Sequence, residues 1–565
     1  MSLEFTISEE AKSRGISRIA KENNTFCVEV NENCLRFSIY HDDFDKTIRS
    51  LNKNTNDAEE DIKQYLKVFV SRNWNELTDT DTKNVNEKEN QSQIQRQDGN
   101  CKTEIKYDLS YLDWRLGLIE RYYKLKNTVD KNLPDLWPSL EFELSVNKIL
   151  NIKDCTLPFA GFVLGAPSSL KTIGIGLFRQ SKNTFYTDNF TPKSFVSNST
   201  AVKREDLENI DLLPKMKDKF FLTPELAPIF GKKDEDLVET LCIITRIVDG
   251  EGYENDTGAH GHRGHIGEYM FTWVGAAVDI PRKVHKLLGT LGPKLYFFRL
   301  STTKKTEEEY LDEINKDDFK KKLGLIRVVL LDYLEWFDLC PKATIKNNLV
   351  KVEWDSNKDD EVALRIIIRL SILLAHLRGV APTWKTDSTG IDYQHAMATI
   401  EDPSRAMTQL KNLARGHALL QGQNYITIED LLIVVKVVLS TASKERVKVF
   451  ELLLSHNGSL TTSEIQYSLN VTAPTARQTM EEFKALNLVD VAESEFTNSE
   501  KRMILKDEFD WFLTRDFEMI KQGKFPMQVY VPKNIELLKE KTPPSHAFFL
   551  NQPLSVSVYD LRYLK

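Results

Sequence analysis

FAGFVLGAPSSLKTIGIGLF, residues 159–178, is the stretch of sequence that decides the fold. Its first six residues are mostly apolar and predict a buried β-strand, whereas its last six predict the beginning of a helix. A short loop, GAPSSLKT (165–172), joins the two. A strand that passes through a turn of small residues into a helix is typical of an α/β sheet domain.

The loop matches most of the phosphate-binding pattern G-x-x-x-x-G-K-[ST], in which backbone N–H groups surround the phosphates of a nucleotide. Gly165, Lys171 and Thr172 match in order and spacing, but Leu170 stands at the second glycine. The lysine of this pattern contacts the β and γ phosphates and the hydroxyl ligates Mg²⁺. We therefore expect ATP and Mg²⁺ as cofactors and Thr172 as the metal ligand; the alternative is a chance turn with a solvated lysine. The predicted nucleotide-binding residues are Gly165, Ala166, Pro167, Ser168, Ser169, Leu170, Lys171 and Thr172.

An ATPase also needs acidic residues downstream of the loop, and KFFLTPELAPIF (219–230) places Glu225 after an apolar strand. The usual form of this element is an Asp–Glu pair, but Thr223 and Pro224 precede this glutamate. The aspartate that orients the metal is therefore missing. We predict that Glu225 polarises the attacking water or assists Mg²⁺; the alternative is a glutamate that caps the helix after the proline.

A segment rich in glycine and histidine occupies residues 246–281. Arginine and histidine in a glycine-rich hairpin can follow a phosphate backbone, so we predict DNA contacts here. One alternative is a metal site formed by the H-x-H-x-x-H pattern, because imidazole suits Zn²⁺, and another is a purely structural hairpin. The predicted DNA-contact residues of this segment are His260, His262, Arg263 and His265.

Residues 443–491 contain three helical stretches and then the start of a strand, a pattern that predicts a winged helix-turn-helix. In such a unit the third helix enters the major groove of DNA. Residues 443–490 hold five Lys or Arg and six Asp or Glu, and this lack of positive charge leaves a protein–protein or regulatory unit as the alternative. The outward residues predicted to contact DNA are Thr475, Arg477, Gln478 and Lys484.

Overall composition excludes several classes of protein. The 565 residues include 76 Lys or Arg and 83 Asp or Glu, and the net charge of −7 excludes a basic protein that coats nucleic acid. The six cysteines are scattered without a C-x-x-C pair, so neither a zinc ribbon nor a disulfide framework is indicated. No apolar run approaches the roughly 20 residues of a membrane span, and the N-terminus lacks the apolar core of a signal peptide. We therefore expect a cytoplasmic protein without a membrane partner.

The order of these segments resembles a known superfamily. GAPSSLKT, the TPEL acid, the IVDG loop, WVGAAVDIP and LGPKLYFFRL follow one another as in P-loop ATPases of the AAA+ and helicase-like kind carried by archaea, phages and plasmids. Residues 401–439 are similar to the lid of minichromosome maintenance helicases, and the resemblance as a whole extends over residues 135–490. The implied fold class is α/β, with an AAA+-like P-loop ATPase core, a helical lid, a C-terminal winged helix and a small N-terminal α/β module.

The predicted organisation combines this resemblance with the composition of the remaining segments. Residues 76–104 are polar and nearly free of aromatic residues, which is typical of a flexible linker. The predicted parts are an N-terminal α/β module (1–75), a linker (76–107), the ATPase core with preceding helices (108–304), a helical lid (305–440), a winged helix (441–506) and a C-terminal tail (507–565).

The resemblance also implies roles for individual residues. Glu225 would be the catalytic residue after the acid strand, and Arg405 would contact the γ phosphate from the lid. Lys294 stands where relatives carry an arginine finger that acts on the neighbouring subunit, with Arg299 as a nearby substitute. A lysine keeps the charge of an arginine but lacks its planar, forked donors. Ala277 stands where the family has a polar residue, and these departures leave slow hydrolysis, or binding without hydrolysis, as alternatives.

The sequence therefore predicts an ATP-hydrolysing motor that acts on DNA and resembles a replicative helicase. Its expected form is a homo-oligomeric ring such as a hexamer, with ATP bound between subunits. The alternative is a nucleotide-regulated DNA-binding or assembly protein without unwinding activity, which the altered motifs favour. A third hypothesis is a metal-dependent enzyme that uses the histidine cluster.

Overall fold

The structure, a computed structural model, describes most of the chain from residue 110 onward and four strands before it. These strands form an antiparallel sheet in chain order: β1 (Ser2–Glu4), β2 (Ile16–Glu22), β3 (Thr25–Val30) and β4 (Asn33–Ser38). The other described ranges are 110–197, 207–257, 261–292, 294–301, 305–316, 318–386, 393–493 and 500–524. The rest of the predicted N-terminal module, the predicted linker, most of the predicted tail and His260 lie outside the described residues.

A five-stranded parallel sheet forms the centre of the protein. Its first three strands are β5 (Phe159–Leu164), β6 (Thr184–Tyr186) and β7 (Phe220–Thr223). A separate antiparallel hairpin, β8 (Gly252–Thr257) and β9 (Gly261–Ile266), precedes the last two, β10 (Thr272–Ala277) and β11 (Leu295–Arg299). Strands β5, β7 and β10 are buried along their whole length, as expected for a parallel sheet that is covered on both faces. The predicted α/β class is confirmed at this level.

The strand order across the sheet is β11-β5-β10-β7-β6. The chain runs from β5 to the far edge, returns through β7 and β10, and then crosses to β11 on the other side of β5. In open α/β sheets, ligands bind outside the carboxyl ends of the strands at the point where this winding changes direction. That point lies at the carboxyl ends of β5 and β10, where the loop of residues 165–170 begins.

Side chains of β5 alternate between two hydrophobic cores, one on each face of the sheet. Val163 belongs to one core, and Phe162 and Leu164 belong to the other. The helices of this part are α1 (Tyr111–Asn132), α2 (Trp137–Ile149), α3 (Lys171–Leu177), α4 (Leu207–Ile210), α5 (Leu212–Met216), α6 (Ala227–Phe230), α7 (Asp234–Ile247) and α8 (Arg282–Leu291). None of the helices in the described part of the chain is both long and apolar enough to cross a membrane.

The chain after β11 is mostly helical and carries two small antiparallel hairpins. Its elements are α9 (Glu307–Lys316), α10 (Phe319–Phe337), β12 (Thr344–Lys346), β13 (Leu349–Lys351), α11 (Glu361–Arg378), β14 (Thr383–Lys385), β15 (Tyr393–His395), α12 (Ser404–Ala418) and α13 (Leu431–Thr441). Buried side chains of α10, α11, α12 and α13 join the core that contains Val163, so this region packs on one face of the sheet.

The outer edge of β11 is covered by α13. The hydroxyl of Thr441 accepts a hydrogen bond from the backbone N–H of Phe297 (2.9 Å), and that of Ser440 accepts one from the N–H of Arg299 (3.0 Å). An edge strand normally presents such N–H groups without partners. Here two hydroxyls at the end of α13 satisfy them.

The C-terminal unit combines short helices with a three-stranded antiparallel sheet of order β16-β18-β17. Its elements are α14 (Lys444–Ser455), β16 (Ser459–Thr461), α15 (Thr462–Leu469), α16 (Ala473–Ala485), β17 (Val489–Glu493), β18 (Lys501–Leu505) and α17 (Arg515–Lys521). Thr461 and Glu464 form a capping box at the start of α15. Ala476, Met480 and Phe483 of α16 are buried, which fixes the orientation of that helix.

A buried ion network ties α2 to α12. His417 Nδ1 lies 2.8 Å from Asp430 Oδ1, and Nε2 lies 3.9 Å from Glu141 Oε1, which also accepts a hydrogen bond from the Tyr122 hydroxyl. Burial alone would lower the pKa of His417, but the hydrogen bonds and charges of Asp430 and Glu141 outweigh it and raise the pKa to about 10. Burial alone would raise the pKa of Glu141, but His417 and Tyr122 lower it to about 2. At neutral pH the folded protein therefore holds an imidazolium between two carboxylates.

Candidate functional site

The loop of residues 165–170 contains two residues other than glycine in a left-handed backbone conformation. Ser168 and Leu170 both adopt left-handed conformations, with φ of 64° and 61°. Alternation of right- and left-handed residues turns successive N–H groups toward one side and forms a concave surface that attracts anions. A residue with a Cβ atom meets this conformation at a cost of roughly 1–2 kcal/mol. The side chain of Leu170 is half-buried and packs against the hydrophobic core, so it leaves the concave side of the loop open.

Two polar side chains beside the loop bond to no other side chain in the described part of the protein. Lys171, the first residue of α3, is only 6% exposed and donates a hydrogen bond from Nζ to the carbonyl oxygen of Ala166 (2.9 Å). Among the described residues no carboxylate forms an ion pair with it. The Ser169 hydroxyl oxygen is buried and has no hydrogen-bond partner in the same part of the chain, and it lies 2.5 Å from where a Cβ on Gly165 would stand. A side chain at position 165 would therefore displace the Ser169 hydroxyl.

The predicted acid, Glu225, follows β7 and is exposed. Its Oε1 accepts a hydrogen bond from the backbone N–H of Ala227 (2.9 Å), so it caps the short helix α6. Burial lowers the pKa of Lys171, and the charge of Glu225 partly opposes this, which places the carboxylate within electrostatic reach of the loop. Thr172, on the first turn of α3, is an exposed residue. A hydroxyl and a carboxylate are hard oxygen ligands, so these residues fit Mg²⁺.

A charged pair that the sequence did not reveal lies beside the loop. Arg299 ends β11 and Asp279 follows β10, the two neighbours of β5, and Arg299 Nη2 lies 2.9 Å from Asp279 Oδ1. Burial would raise the pKa of Asp279, but the hydrogen bond and charge of Arg299 outweigh it and hold that pKa below its usual value. Ala277 contributes only its carbonyl oxygen, which accepts from the N–H of Gly165 (3.2 Å). The signal for Asp279 was its position two residues after a buried strand.

Lys294 and Arg405 lie together at the amino ends of the strands, opposite the end that carries the loop. Lys294 directly precedes β11, so it stands at the amino ends of the strands. Its Nζ lies 2.9 Å from Asp249 Oδ2, and Arg405 Nη1 lies 2.8 Å from Asp249 Oδ1. Asp249 belongs to the IVDG segment, and its neighbour Gly250 packs against Pro158, the residue before β5. Within one chain, the structure thus separates these two cations from the loop of residues 165–170 and joins them through an aspartate.

Two of the predicted DNA-contact histidines, His262 and His265, lie on β9, and both contact carboxylates. His262 Nε2 lies 2.7 Å from Glu254 Oε1, and His262 Nδ1 lies 3.0 Å from Asp256 Oδ1. These two hydrogen bonds raise the pKa of His262 above its usual value. His265 Nε2 lies 2.8 Å from the buried carboxylate of Asp211.

Arg263, between these histidines, donates to the carbonyl oxygen of Ser197 (3.3 Å), so the hairpin is fixed to the adjacent chain segment. Within the described residues, no group of three or more His, Cys, Asp or Glu side chains is arranged to hold a metal ion. The two carboxylates around His262 make this part of the hairpin a poor match for a phosphate backbone. The structure therefore shows a fixed hairpin, with His260 outside the described residues.

The predicted DNA-contact helix, α16, faces a second element of the same chain. Gln478 Nε2 donates to the Thr383 hydroxyl of β14 (3.4 Å), and Glu481 Oε1 lies 2.6 Å from His395 Nδ1 of β15. Glu481 also lies 3.8 Å from Lys484 Nζ. The residues of the prediction that lie on this helix are Thr475, Arg477, Gln478 and Lys484.

A buried carboxyl group under α3 is a further feature that the sequence did not reveal. Glu143 of α2 is completely buried, and neither of its carboxyl oxygens has a hydrogen-bond partner in the described part of the chain. A Cβ on Gly174 of α3 would lie 2.7 Å from Glu143 Oε1. Burial raises the pKa of Glu143 well above its usual value, so the folded state favours the neutral acid.

We expect Glu143→Met to increase the free energy of unfolding by about 1–3 kcal/mol, because it replaces an unsatisfied buried polar group by an apolar one of similar length. This gain in stability should grow as pH rises above 4.5. The pKa of Glu143 is raised in the folded state, so the unfolded native chain ionises this carboxyl more readily than the folded one, and the native chain loses stability as pH rises. Urea unfolding at pH 5 and pH 8 measures both effects. Glu143→Gln is the control for charge alone and should differ from the native chain mainly at pH 8. A loss of stability in the Met variant would show that the carboxyl has a partner.

Comparison with known proteins gives little beyond this geometry. No protein-family model matches the chain, and no curated protein matches it. Among solved structures, one similar chain is described as "The A form apo structure of NrS-1 C terminal region-CTR". The alignment covers 87% of this chain and 97% of that chain, with 11% sequence identity and a TM-score of 0.20. A likeness at this TM-score supports no conclusion about a common fold or activity.

Proposed function

We propose that this protein is an ATP-driven motor that acts on DNA, with its nucleotide bound at the loop of residues 165–172. The observation that carries the proposal is Lys171, which is 6% exposed, forms no ion pair with a described carboxylate and begins the helix after the loop at the carboxyl end of β5. Buried charges in proteins are normally paired, so a cation held in this way is matched to an anion supplied from outside. Three phosphates provide that anion.

The residues around the loop suit the steps of phosphoryl transfer. Lys171 would contact the β and γ phosphates, while the Ser169 hydroxyl and the loop N–H groups would donate to phosphate oxygens. Mg²⁺, when bound, neutralises developing charge on the phosphates, and Thr172 and Glu225 are the residues that would hold it. Glu225 would also orient the attacking water. Asp279, fixed by Arg299 beside the loop, takes the polar role that Ala277 cannot supply.

The positions of Lys294 and Arg405, at the amino ends of the strands, support assembly into a ring. Lys294 and Arg405 share Asp249 at the amino ends of the strands, whereas the loop lies at the carboxyl ends. Two cations so placed can act on a nucleotide only when it is bound by another copy of the chain. In a head-to-tail contact, the amino ends of the strands of one copy would face the carboxyl ends of the strands of the next copy. Such a contact repeats around a closed ring, such as a hexamer. Asp249 would hold both cations until the phosphates of the neighbour attract them.

A mixing experiment tests this shared site. Lys171→Ala and Arg405→Ala should each be inactive alone, because one lacks a working loop and the other lacks the cation from the neighbour. When equal amounts are mixed and allowed to exchange subunits, about a quarter of the interfaces regain both parts, if the subunits assort at random in a head-to-tail ring. Phosphate release from the mixture should therefore rise toward that fraction of native activity. No recovery, with exchange verified by labelled subunits, would place Arg405 outside the site.

A second candidate is a nucleotide-regulated DNA-binding or assembly protein without unwinding activity. It is favoured by the state of the two predicted DNA-contact surfaces: His262 is held by Glu254 and Asp256, and α16 faces β14–β15. The described residues of both surfaces are thus engaged in contacts within the chain.

ATP hydrolysis with and without single-stranded DNA separates the two candidates. A motor should hydrolyse ATP faster when DNA is present, because translocation couples the two activities, and the assay is run at two salt concentrations since DNA binding is salt-dependent. Tight ATP binding without turnover in either condition would support the regulated binder and overturn the motor. No nucleotide binding at all would overturn both.

A further inference from the structure

The outward face of α16 is the surface from which a further inference follows. Its inward face is fixed by Ala476, Met480 and Phe483, which are buried. The residues between them turn toward the β14–β15 hairpin, with Gln478 bonded to Thr383 and Glu481 bonded to His395. The side of the helix that faces away from its own core is thus in contact with another part of the chain.

The C-terminal unit is anchored elsewhere by stronger contacts. Arg446 of α14 pairs with Glu482, and its Nη1 donates to the carbonyl oxygens of Leu377 (2.8 Å) and Gly379 (2.7 Å) at the end of α11. His376 Nδ1 lies 2.7 Å from the carbonyl oxygen of Leu486. Because these contacts do not involve β14 or β15, the hairpin can leave α16 while the unit stays attached to α11.

The hairpin itself is small. Each strand has three residues, and the pairing runs only from Thr383 opposite His395 to Lys385 opposite Tyr393. An isolated two-stranded hairpin is marginally stable in water, so this one depends on what it packs against. Thr383 and His395 are a cross-strand pair, and both reach α16. The central pair, Trp384 and Gln394, is exposed, as expected for side chains that alternate to the opposite face.

The width of the major groove means that α16 cannot enter it while the β14–β15 hairpin lies on the outward face of the helix. The major groove is about 12 Å wide, and an α-helix with its side chains already measures about 10–12 Å across. A helix can enter such a groove alone, but not with a pair of strands on its outward face. Duplex DNA and the hairpin therefore compete for the same side of α16.

We propose that the β14–β15 hairpin is an autoinhibitory cover for α16, and that duplex DNA binds this helix only after the hairpin has moved away. The proposal rests on the DNA-acting part of the proposed function. When the hairpin covers α16 in most molecules, only the small fraction with an uncovered helix can bind duplex DNA. The apparent affinity for duplex DNA is reduced by that fraction. The occupant of the uncovered face is duplex DNA, with Arg477 and Lys484 as the cations that α16 presents.

The test is duplex binding by full-length variants in which the cover is weakened and α16 is unchanged. Thr383→Ala/His395→Ala removes both side-chain hydrogen bonds to the helix and so weakens the contact, and we expect it to tighten the Kd for a labelled duplex about tenfold at fixed salt. Gln394→Ala lies on the same strand but faces away, and it should bind as the native chain does. Adding Arg477→Ala/Lys484→Ala to the weakened variant should cancel the gain, because these residues belong to the uncovered face.

Unchanged duplex binding in the Thr383→Ala/His395→Ala variant would overturn the cover. So would a gain that persists after Arg477 and Lys484 are replaced, since DNA would then be bound elsewhere. ATP hydrolysis stimulated by single-stranded DNA is measured on the same samples. If that stimulation is present while the duplex result is negative, the cover is wrong and the motor stands; if both are negative, the proposed function fails as well.

Discussion

The Lys171→Ala variant should lose ATP hydrolysis by about 10²–10³-fold, the usual effect of removing one preorganised group that stabilises charge in a transition state. Lys171 is nearly buried, and its hydrogen bond to Ala166 holds the ammonium over the loop before any nucleotide arrives. The charge is thus in position without reorganisation, and alanine supplies none of it. Phosphate release at saturating ATP measures the loss, and binding of a fluorescent nucleotide analogue shows how much of it comes from weaker binding.

Lys182→Ala is the matched control, because Lys182 is exposed and lies shortly after the same helix. The substitution removes one positive charge and leaves the loop unchanged. It should hydrolyse ATP at the native rate. Full activity in Lys171→Ala would show that the loop is a structural turn, which is the alternative that the sequence left open. Weak nucleotide binding with a native maximal rate would assign Lys171 to binding alone.

The His417→Ala variant should lose about 3–5 kcal/mol of unfolding free energy, because it leaves the carboxylates of Glu141 and Asp430 buried without the cation between them. Urea unfolding followed by circular dichroism measures the change. His456→Ala removes an exposed histidine from the C-terminal unit and should stay within about 0.5 kcal/mol of the native chain. A small effect of His417→Ala would mean that water reaches the two carboxylates.

The pH dependence of this network has a definite sign. The pKa of His417 rises from 6.5 to about 10 on folding, so its contribution is complete below pH 6.5 and is lost as pH rises toward 10. The pKa of Glu141 falls from 4.5 to about 2 on folding, so its contribution is complete above pH 4.5 and is lost as pH falls toward 2. The stability difference between native chain and His417→Ala should therefore be largest between about pH 4.5 and 6.5 and shrink toward pH 10.

Features that depend on neighbouring residues could be predicted from the sequence. The strand at 159–164, the loop and a helix after it all follow from apolar pattern and spacing. The structure has the strand at these residues and begins the helix at Lys171, within the predicted loop and before the predicted start at Ile173. The parallel sheet also follows, because buried apolar strands alternate with helices. Leu170 stands where the pattern has a glycine, yet its backbone takes the left-handed conformation that a glycine favours and its side chain packs against the core.

Features that depend on distant residues could not be predicted in the same way. Asp249 meets Arg405 across 156 positions of the chain, and His395 meets Glu481 across 86. Nothing in the sequence around Asp249 or around His395 indicates its distant partner. Glu143 was hidden for a different reason, because a charged residue in a helix is ordinarily placed on the solvent side and only the packing of α3 shows that it is buried. The predicted separation of core, lid and winged helix likewise carried no information on how α16 meets the hairpin.

The hydroxyl groups of Ser440 and Thr441 have a consequence for how copies of this protein can join. They occupy the outward N–H groups of Phe297 and Arg299 in β11, so a strand from another molecule cannot pair with these two donors. The opposite border, β6, is only three residues long and gives little length for pairing. Contacts with another copy along these two borders would therefore rely on side chains and loops and not on an added strand.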